Sequence, residues 1–304
     1  MDRFFDKAIV IGLLVVIVFA TLAHGVVEPW SVLAFELLAA LLVLMWAIKA
    51  AIEKQIRLEI PPPLWPVIGL ILLGLVQSLA ITNAAGVRQS LSLDVEATRR
   101  TVLALVALLI CCVLAATAFK SRERLRRLAT FLVLFGGAVG VFGLIQQYAW
   151  NGSVYWLRQV EARPFGPFFN RDHFAGFMEL LIALPLALVL TRHVRGERRL
   201  LYGVTALMMG IAAIFTLSRG GMISLVVEMV FLATVSYRRN RLIVGSERGG
   251  RLAGVAAVVA LVVAITLGVV WIGAEPVIGR IDPDNPQNYV SGRSEIWRDT
   301  LRMI

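Results

Sequence analysis

Apolar residues in this chain come in long unbroken runs, not as the one-sided stripes of a surface helix, and polar residues are swept into the connections between runs. Runs of about 20 mostly apolar residues cross roughly 30 Å of hydrocarbon at 1.5 Å per residue. They fall at 8–23, 32–51, 64–81, 101–119, 125–150, 174–191, 200–217, 222–237 and 252–272. These nine runs predict an all-α fold: a polytopic transmembrane helix bundle over residues 1–272, with residues 273–304 beginning a segment outside the lipid. Pro61-Pro62-Pro63 separates the second run from the third. The first run follows Arg3 and Lys7 as in a signal peptide, but Leu22-Ala23-His24-Gly25 is a poor cleavage site and more runs follow, so it reads as a retained anchor.

Composition supports the same class. The 304 residues are 59% hydrophobic and 16% charged, with a mean hydropathy of +0.80, which excludes an ordinary soluble domain with its charged quarter. The net charge of +10 would suggest nucleic acid in a soluble protein; in a membrane chain it reports orientation, and no nucleic-acid role is expected. Nineteen of the thirty Lys and Arg fall in connections that share a side with the N-terminus, so the N-terminus is expected in the cytoplasm and residues 273–304 outside. Cys111 and Cys112, the only cysteines, are adjacent in an apolar run and read as small hydrophobes; neither a metal site nor a cofactor is expected.

The remaining eleven cations lie on the outer side, where positive charge is disfavoured. Arg99 and Arg100, Arg171, and Arg219 stand at the starts of the fourth, sixth and eighth runs, each adding a cation to the positive end of a helix dipole. One such arginine reads equally well as a side chain reaching for lipid headgroups. Three helix starts together favour an anion site, because free helix amides and guanidinium forks both suit phosphate oxygens. Glu36, Glu179 and Glu228 lie about two turns below the same face, and Gln77, Gln146 and Gln147 near it, whereas the inner half carries only scattered hydroxyls such as Thr117 and Thr205. A carboxylate inside a span is a functional candidate or a group paired for packing. Polarity confined to the outer half suits an enzyme acting on a lipid substrate; a polytopic anion or solute transporter, expected to be polar through both halves, is the alternative.

Three segments carry the candidate chemistry. The connection before the sixth run ends in Arg163-Pro164-Phe165-Gly166-Pro167-Phe168-Phe169-Asn170-Arg171-Asp172-His173, where Asn170 or Asp172 can cap the helix. His173 is either a general base or a capping histidine, and the nearby arginine and helix dipole both lower its basicity. The seventh and eighth runs are joined by Ser218-Arg219-Gly220-Gly221, and the eighth, at 222–237, spans only about 24 Å, so the turn is expected to be sunk below the surface. Gly292-Arg293 then opens an amphipathic pattern through Ile296, Trp297, Leu301 and Ile304.

Residues 163–176, Thr216-Leu217-Ser218-Arg219-Gly220-Gly221, and Gly292-Arg293 followed by Trp297 resemble, in that order, three blocks of the O-antigen ligase and O-antigen polymerase superfamily; residues 92–99 are a softer fourth match. The resemblance implies a polytopic glycosyltransferase of the bacterial inner membrane. Such enzymes act in lipopolysaccharide and other surface-polysaccharide biosynthesis, transferring a glycan from undecaprenyl diphosphate to a hydroxyl of lipid A core or a growing glycan, without metal or soluble cofactor. Its implied partners are that lipid-linked donor, the glycan or lipid A-core acceptor, and membrane lipids. By the resemblance Arg219 and Arg293 would hold the diphosphate, and Arg163, Asn170 and Arg171 would shape the donor site. His173, Glu179 and Glu228 remain secondary candidates. The family's proposed catalytic histidine lies beyond residue 304 in a long outer region, with further spans after it. The resemblance therefore implies a truncated chain, without a catalytic residue of its own and not expected to be active alone.

Overall fold

A computed structural model describes residues 2–56, 58–82, 88–160, 164–191, 194, 196–244 and 298–303. Eight helices, α1 (Asp2–Leu22), α2 (Pro29–Glu53), α3 (Trp65–Gln77), α4 (Val95–Ala118), α5 (Arg122–Tyr148), α6 (Arg171–Leu190), α7 (Glu197–Phe215) and α8 (Arg219–Val244), carry the fold. Two short antiparallel hairpins interrupt them, β1 (Ala80–Thr82) with β2 (Arg88–Ser90) and β3 (Ser153–Val154) with β4 (Arg158–Gln159). Seven of the eight helices are long and apolar enough to cross a membrane; α3, at 13 residues, is shorter. Their outward faces are greasy: Leu33, Leu37, Leu41 and Leu44 of α2 are each more than half exposed, a stripe that lipid accepts and water does not. The chain is an all-α, multi-pass membrane protein. The ninth run, 252–272, and nearly all of 273–304 lie outside the described residues; residues 298–303 are helical, within the pattern that opens at Gly292.

Caps set several helix starts. The N–H of Ala97 donates to Oδ1 of Asp94 at 2.9 Å, fixing the start of α4, and that of Asp172 donates to Oδ1 of Asn170 at 2.8 Å, fixing α6. Two elements depart from the apolar runs. The third run was expected through residue 81, but α3 ends at Gln77 and the apolar residues after it turn into β1, because hydropathy alone does not separate a short apolar strand from a helix. The eighth helix is not short. It has 26 residues, about 39 Å, because Arg238, Arg239, Asn240 and Arg241 continue it past the apolar run.

The chain divides into two compact units, Met1–Ala129 and Thr130–Ile304. In the first, Ile9, Leu13 and Val16 of α1 pack with Ala39 and Leu42 of α2 and with Ala107, Cys111 and Leu114 of α4. Gly12 admits Leu42, whose Cδ2 lies 2.5 Å from where a β-carbon on that glycine would stand. Cys111 is buried and Cys112 half-buried, both as free thiols.

In the second unit, α5 presents a face of glycines. A β-carbon on Gly136 would meet Met209 at 2.8 Å and Leu181 at 2.9 Å, one on Gly137 would meet Thr205 at 2.8 Å, and one on Gly143 would meet Phe174 at 2.8 Å and Phe165 at 2.9 Å. Membrane helices associate without a hydrophobic drive between them, so contact this close is what holds α5 to its neighbours. Phe174, Met178 and Met209 are fully buried at the centre.

Candidate functional site

The second unit gathers its candidate residues where α5 and α7 end and α6 and α8 begin. The rings of Tyr148, at the end of α5, and Phe215, at the end of α7, have centroids 6.1 Å apart. A β-carbon on Gly221, in the first turn of α8, would stand 2.8 Å from Cβ of Ala175 and 3.0 Å from Oε1 of Glu179, both on α6. The α6 and α8 starts are thus in direct contact, bringing Arg171 and Arg219 to one end of one unit. Arg99 and Arg100, at the start of α4, belong to the other unit, and Arg100 is ion-paired with Glu96.

The segment before α6 is a buried plug. Phe165 and Phe168 exchange backbone hydrogen bonds of 3.1 and 3.2 Å across Gly166-Pro167, and the rings of Phe165 and Phe174 lie 4.7 Å apart. Gly166 has φ +53°, and a β-carbon on it would stand 2.7 Å from the Phe174 ring and 3.3 Å from Cα of Gly143, so only glycine fits this turn. This plug sets where Asn170 and Arg171 emerge. Asn170 is exposed and spends its side-chain oxygen on the cap, Arg171 is half-buried, and His173 is exposed in the first turn of α6. Arg163 lies outside the described residues, as does Arg293. Preceding the plug, the β3–β4 hairpin carries Tyr155 and Trp156 in the left-handed region, both packed on Phe142 of α5. Burial pushes the Tyr155 phenol up to about 12, keeping it neutral.

The α7–α8 turn is buried by protein, and not by the shortness of α8. Phe215, Thr216 and Ser218 are each less than a tenth exposed. Leu217 takes φ +53°, a costly conformation for a leucine. Oγ of Ser218 accepts from the N–H of Gly221 at 3.1 Å, and Oγ1 of Thr216 accepts from the N–H of Ser218 at 3.2 Å. The two glycines therefore differ. Gly221 is consumed by the cap and by packing on α6, while Gly220 has open space where a side chain would go. The free amides at this helix start are those of Arg219 and Gly220.

Four buried polar atoms have no hydrogen-bond partner among the described residues: Nε of Arg219, Oε1 of Glu179, and both amide atoms of Gln146. All are in the second unit. Gln146 is 1% exposed and sits on α5 between Gly143, which touches Phe165 and Phe174, and Tyr148, which faces Phe215. A buried amide with neither atom satisfied costs roughly 1–3 kcal/mol per group, so such atoms mark a place where something else is bound or where strain is kept. The sequence signal for Gln146 was an amide within an apolar run; its burial could not be read there. Glu228, on α8, lies nine residues from Arg219, about 13 Å along the helix.

Chemically, the α8 start offers two backbone donors, the positive end of a helix and a guanidinium, a set suited to an oxyanion. Among the described residues no cluster of three or more metal-ligating side chains occurs. In comparisons with known proteins, the family model described as O-antigen ligase matches residues 204–304, covering the last twelve residues of α7, the whole of α8 and the segment that holds Arg293. No curated protein and no solved structure matches the chain. The match spans about a third of the chain and carries the Arg219 turn and the Gly292-Arg293 segment together, a similarity to the O-antigen ligase family.

Proposed function

We propose that the chain transfers a glycan from undecaprenyl diphosphate to an acceptor hydroxyl, of lipid A core or of a growing glycan, at the outer face of the bacterial inner membrane. The reading includes nine spans, a cytoplasmic N-terminus and residues 273–304 outside. The observation that carries it is the start of α8, where Arg219 has a buried guanidinium nitrogen lacking a partner and two backbone amides are free, inside the segment matched by the O-antigen ligase model.

In the reaction the acceptor oxygen bonds to the anomeric carbon while that carbon's bond to the diphosphate oxygen breaks, and undecaprenyl diphosphate leaves. A general base takes the hydroxyl proton. Negative charge grows on the bridging oxygen, and donors fixed in advance at that position lower the barrier without reorganising. Arg219 and the α8 amides are assigned to the diphosphate with Arg293, while Arg163, Asn170 and Arg171 shape the donor site. His173, Glu179 and Glu228 stand behind them as secondary candidates. The test pairs a surface-polysaccharide gel of a deletion strain with transfer from a polyprenyl-diphosphate glycan in vitro. Lipid-linked glycan left unattached, together with transfer by the purified full-length protein, supports the reading. A normal glycan profile with altered solute uptake would instead make the protein a transporter.

A further inference from the structure

A second polar site lies in the first unit. Where α1 and α5 begin and α2 and α4 end, a cavity of about 320 Å³ is lined by both charged and apolar side chains. Ile9, Trp46 and Leu114 line it, each about one helical turn closer to the middle of its span than the polar ring. That ring holds Lys49, Lys120 and Arg124 with Asp6 and Glu53.

The hydrogen-bond inventory of the ring is lopsided. Asp6 accepts from Nζ of Lys49 at 2.5 Å through Oδ1 and from Nη2 of Arg124 at 2.6 Å through Oδ2. Glu53 meets Lys49 at 3.4 Å, and Glu59 meets Lys120 at 2.5 Å. Arg124 also donates to the carbonyl of Ala118 at 2.9 Å. Each carboxylate is engaged, whereas an ammonium has three N–H donors. Lys120 has spent one of them and Lys49 two. The hydroxyl of Ser121, which accepts from the N–H of Arg124, retains its own O–H. The three cations are cancelled in formal charge by the two carboxylates of the ring and by Glu59, paired with Lys120 outside the lining, so the surplus is of donors and not of net charge. Such a ring suits a singly charged, acceptor-rich group far better than a polyphosphate, and the apolar wall beside it suits a ligand with a hydrocarbon body. The candidate spans begin at Phe4 and Arg122 and end at Glu53 and Ala118, which sets this ring at the level of a lipid's phosphate.

We infer that this cavity binds the phosphodiester of a membrane phospholipid, with Lys120 and Ser121 as its principal donors and Ile9, Trp46 and Leu114 against the lipid's apolar body. The site belongs to the first unit alone and does not depend on the glycan-transfer reading.

The experiment is native mass spectrometry of the purified, delipidated full chain titrated with dioleoylphosphatidylethanolamine, dioleoylglycerol or inorganic phosphate. Lys120→Glu should weaken the phospholipid adduct about tenfold, the scale of one charge-assisted hydrogen bond. Ser121→Ala, which adds no charge, should weaken it in the same direction. Lys120→Arg should retain it. Arg127→Glu, at an exposed position paired with Glu123 outside the cavity, should bind as the unmodified protein does. Lys120 is half-exposed in the link between α4 and α5, and equal thermal melting of the variants checks that the fold survives. Undiminished phospholipid binding by both Lys120→Glu and Ser121→Ala overturns the site. Equal binding of dioleoylglycerol overturns the phosphodiester, and displacement of the lipid by millimolar phosphate overturns the lipid as occupant.

Discussion

Oε1 of Glu179 lies 3.0 Å from the point that a β-carbon on Gly221 would occupy, so the glycine after Gly220 is what lets a carboxylate of α6 reach the first turn of α8. Arg219, two residues earlier, is oppositely charged, yet its buried Nε and this Oε1 both lack partners. Buried polar atoms without a partner, on two helices whose starts meet, are what a site for a third, polar group requires.

The two glycines of the turn should therefore respond differently. Gly221→Ala drives a methyl to 2.8 Å from Ala175 and should lower stability by about 1–3 kcal/mol. Gly220→Ala meets open space and should melt with the unmodified protein, while crowding whatever sits over the α8 amides. Thermal unfolding in detergent separates the two, and equal melting of both variants would mean that α6 and α8 do not pack as described.

Arg219 tests the donor assignment. Lysine keeps the charge and loses the two-pronged fork, so Arg219→Lys in the full-length protein should lose nearly as much transfer as Arg219→Ala. The expected loss is about 3 kcal/mol of transition-state stabilisation, roughly a hundredfold in rate. In vitro transfer at matched membrane expression is the readout. Rescue by lysine would reduce the role of Arg219 to charge alone, and full activity of the alanine variant would move the diphosphate to Arg163 and Arg171.

Orientation is open to labelling. With Cys111 and Cys112 replaced, single cysteines at Asn151 and Asn285 should react with an impermeant thiol reagent from outside, and one at Ser246 only after the membrane is opened. Reaction at position 246 from outside would invert the proposed topology and with it the side on which every arginine start lies.

In the first unit, Asp6 joins α1 to both α2 and α5 through Lys49 and Arg124. Asp6→Asn removes the carboxylate of Arg124 and the nearer of the two on Lys49 and should cost about 1–2 kcal/mol, since the three side chains are partly buried and partly screened. The loss should shrink in high salt. A melting temperature unchanged at low salt would leave apolar packing alone holding these helix ends.

Hydropathy located eight of the nine runs as helices, with ends up to seven residues off, because a span must satisfy its own backbone and so leaves a long apolar signature. Its failures have physical causes. Ala80 and Ile81 are as apolar in a hairpin as in a helix, and the arginines that lengthen α8 lower hydropathy while favouring helix. In the candidate site, the positions of Arg171 and Arg219 at helix starts were legible from charge and spacing. The Asn170 cap was legible too, as a polar residue before an apolar run. The unsatisfied burial of Gln146 and the contact between Gly221 and Glu179 were not, because both depend on which faces of distant helices meet.

The glycine face of α5 also decides where genetic repair can occur. At Gly136 and Gly143 this helix has no side chain to shorten, so the shape of the contact is written entirely by Met209, Leu181, Phe174 and Phe165 on the other side. A suppressor of Gly136→Ala must therefore arise as a trimmed residue at position 209 or 181, never on α5 itself, and selection for such revertants would trace the neighbours of this helix without a structure.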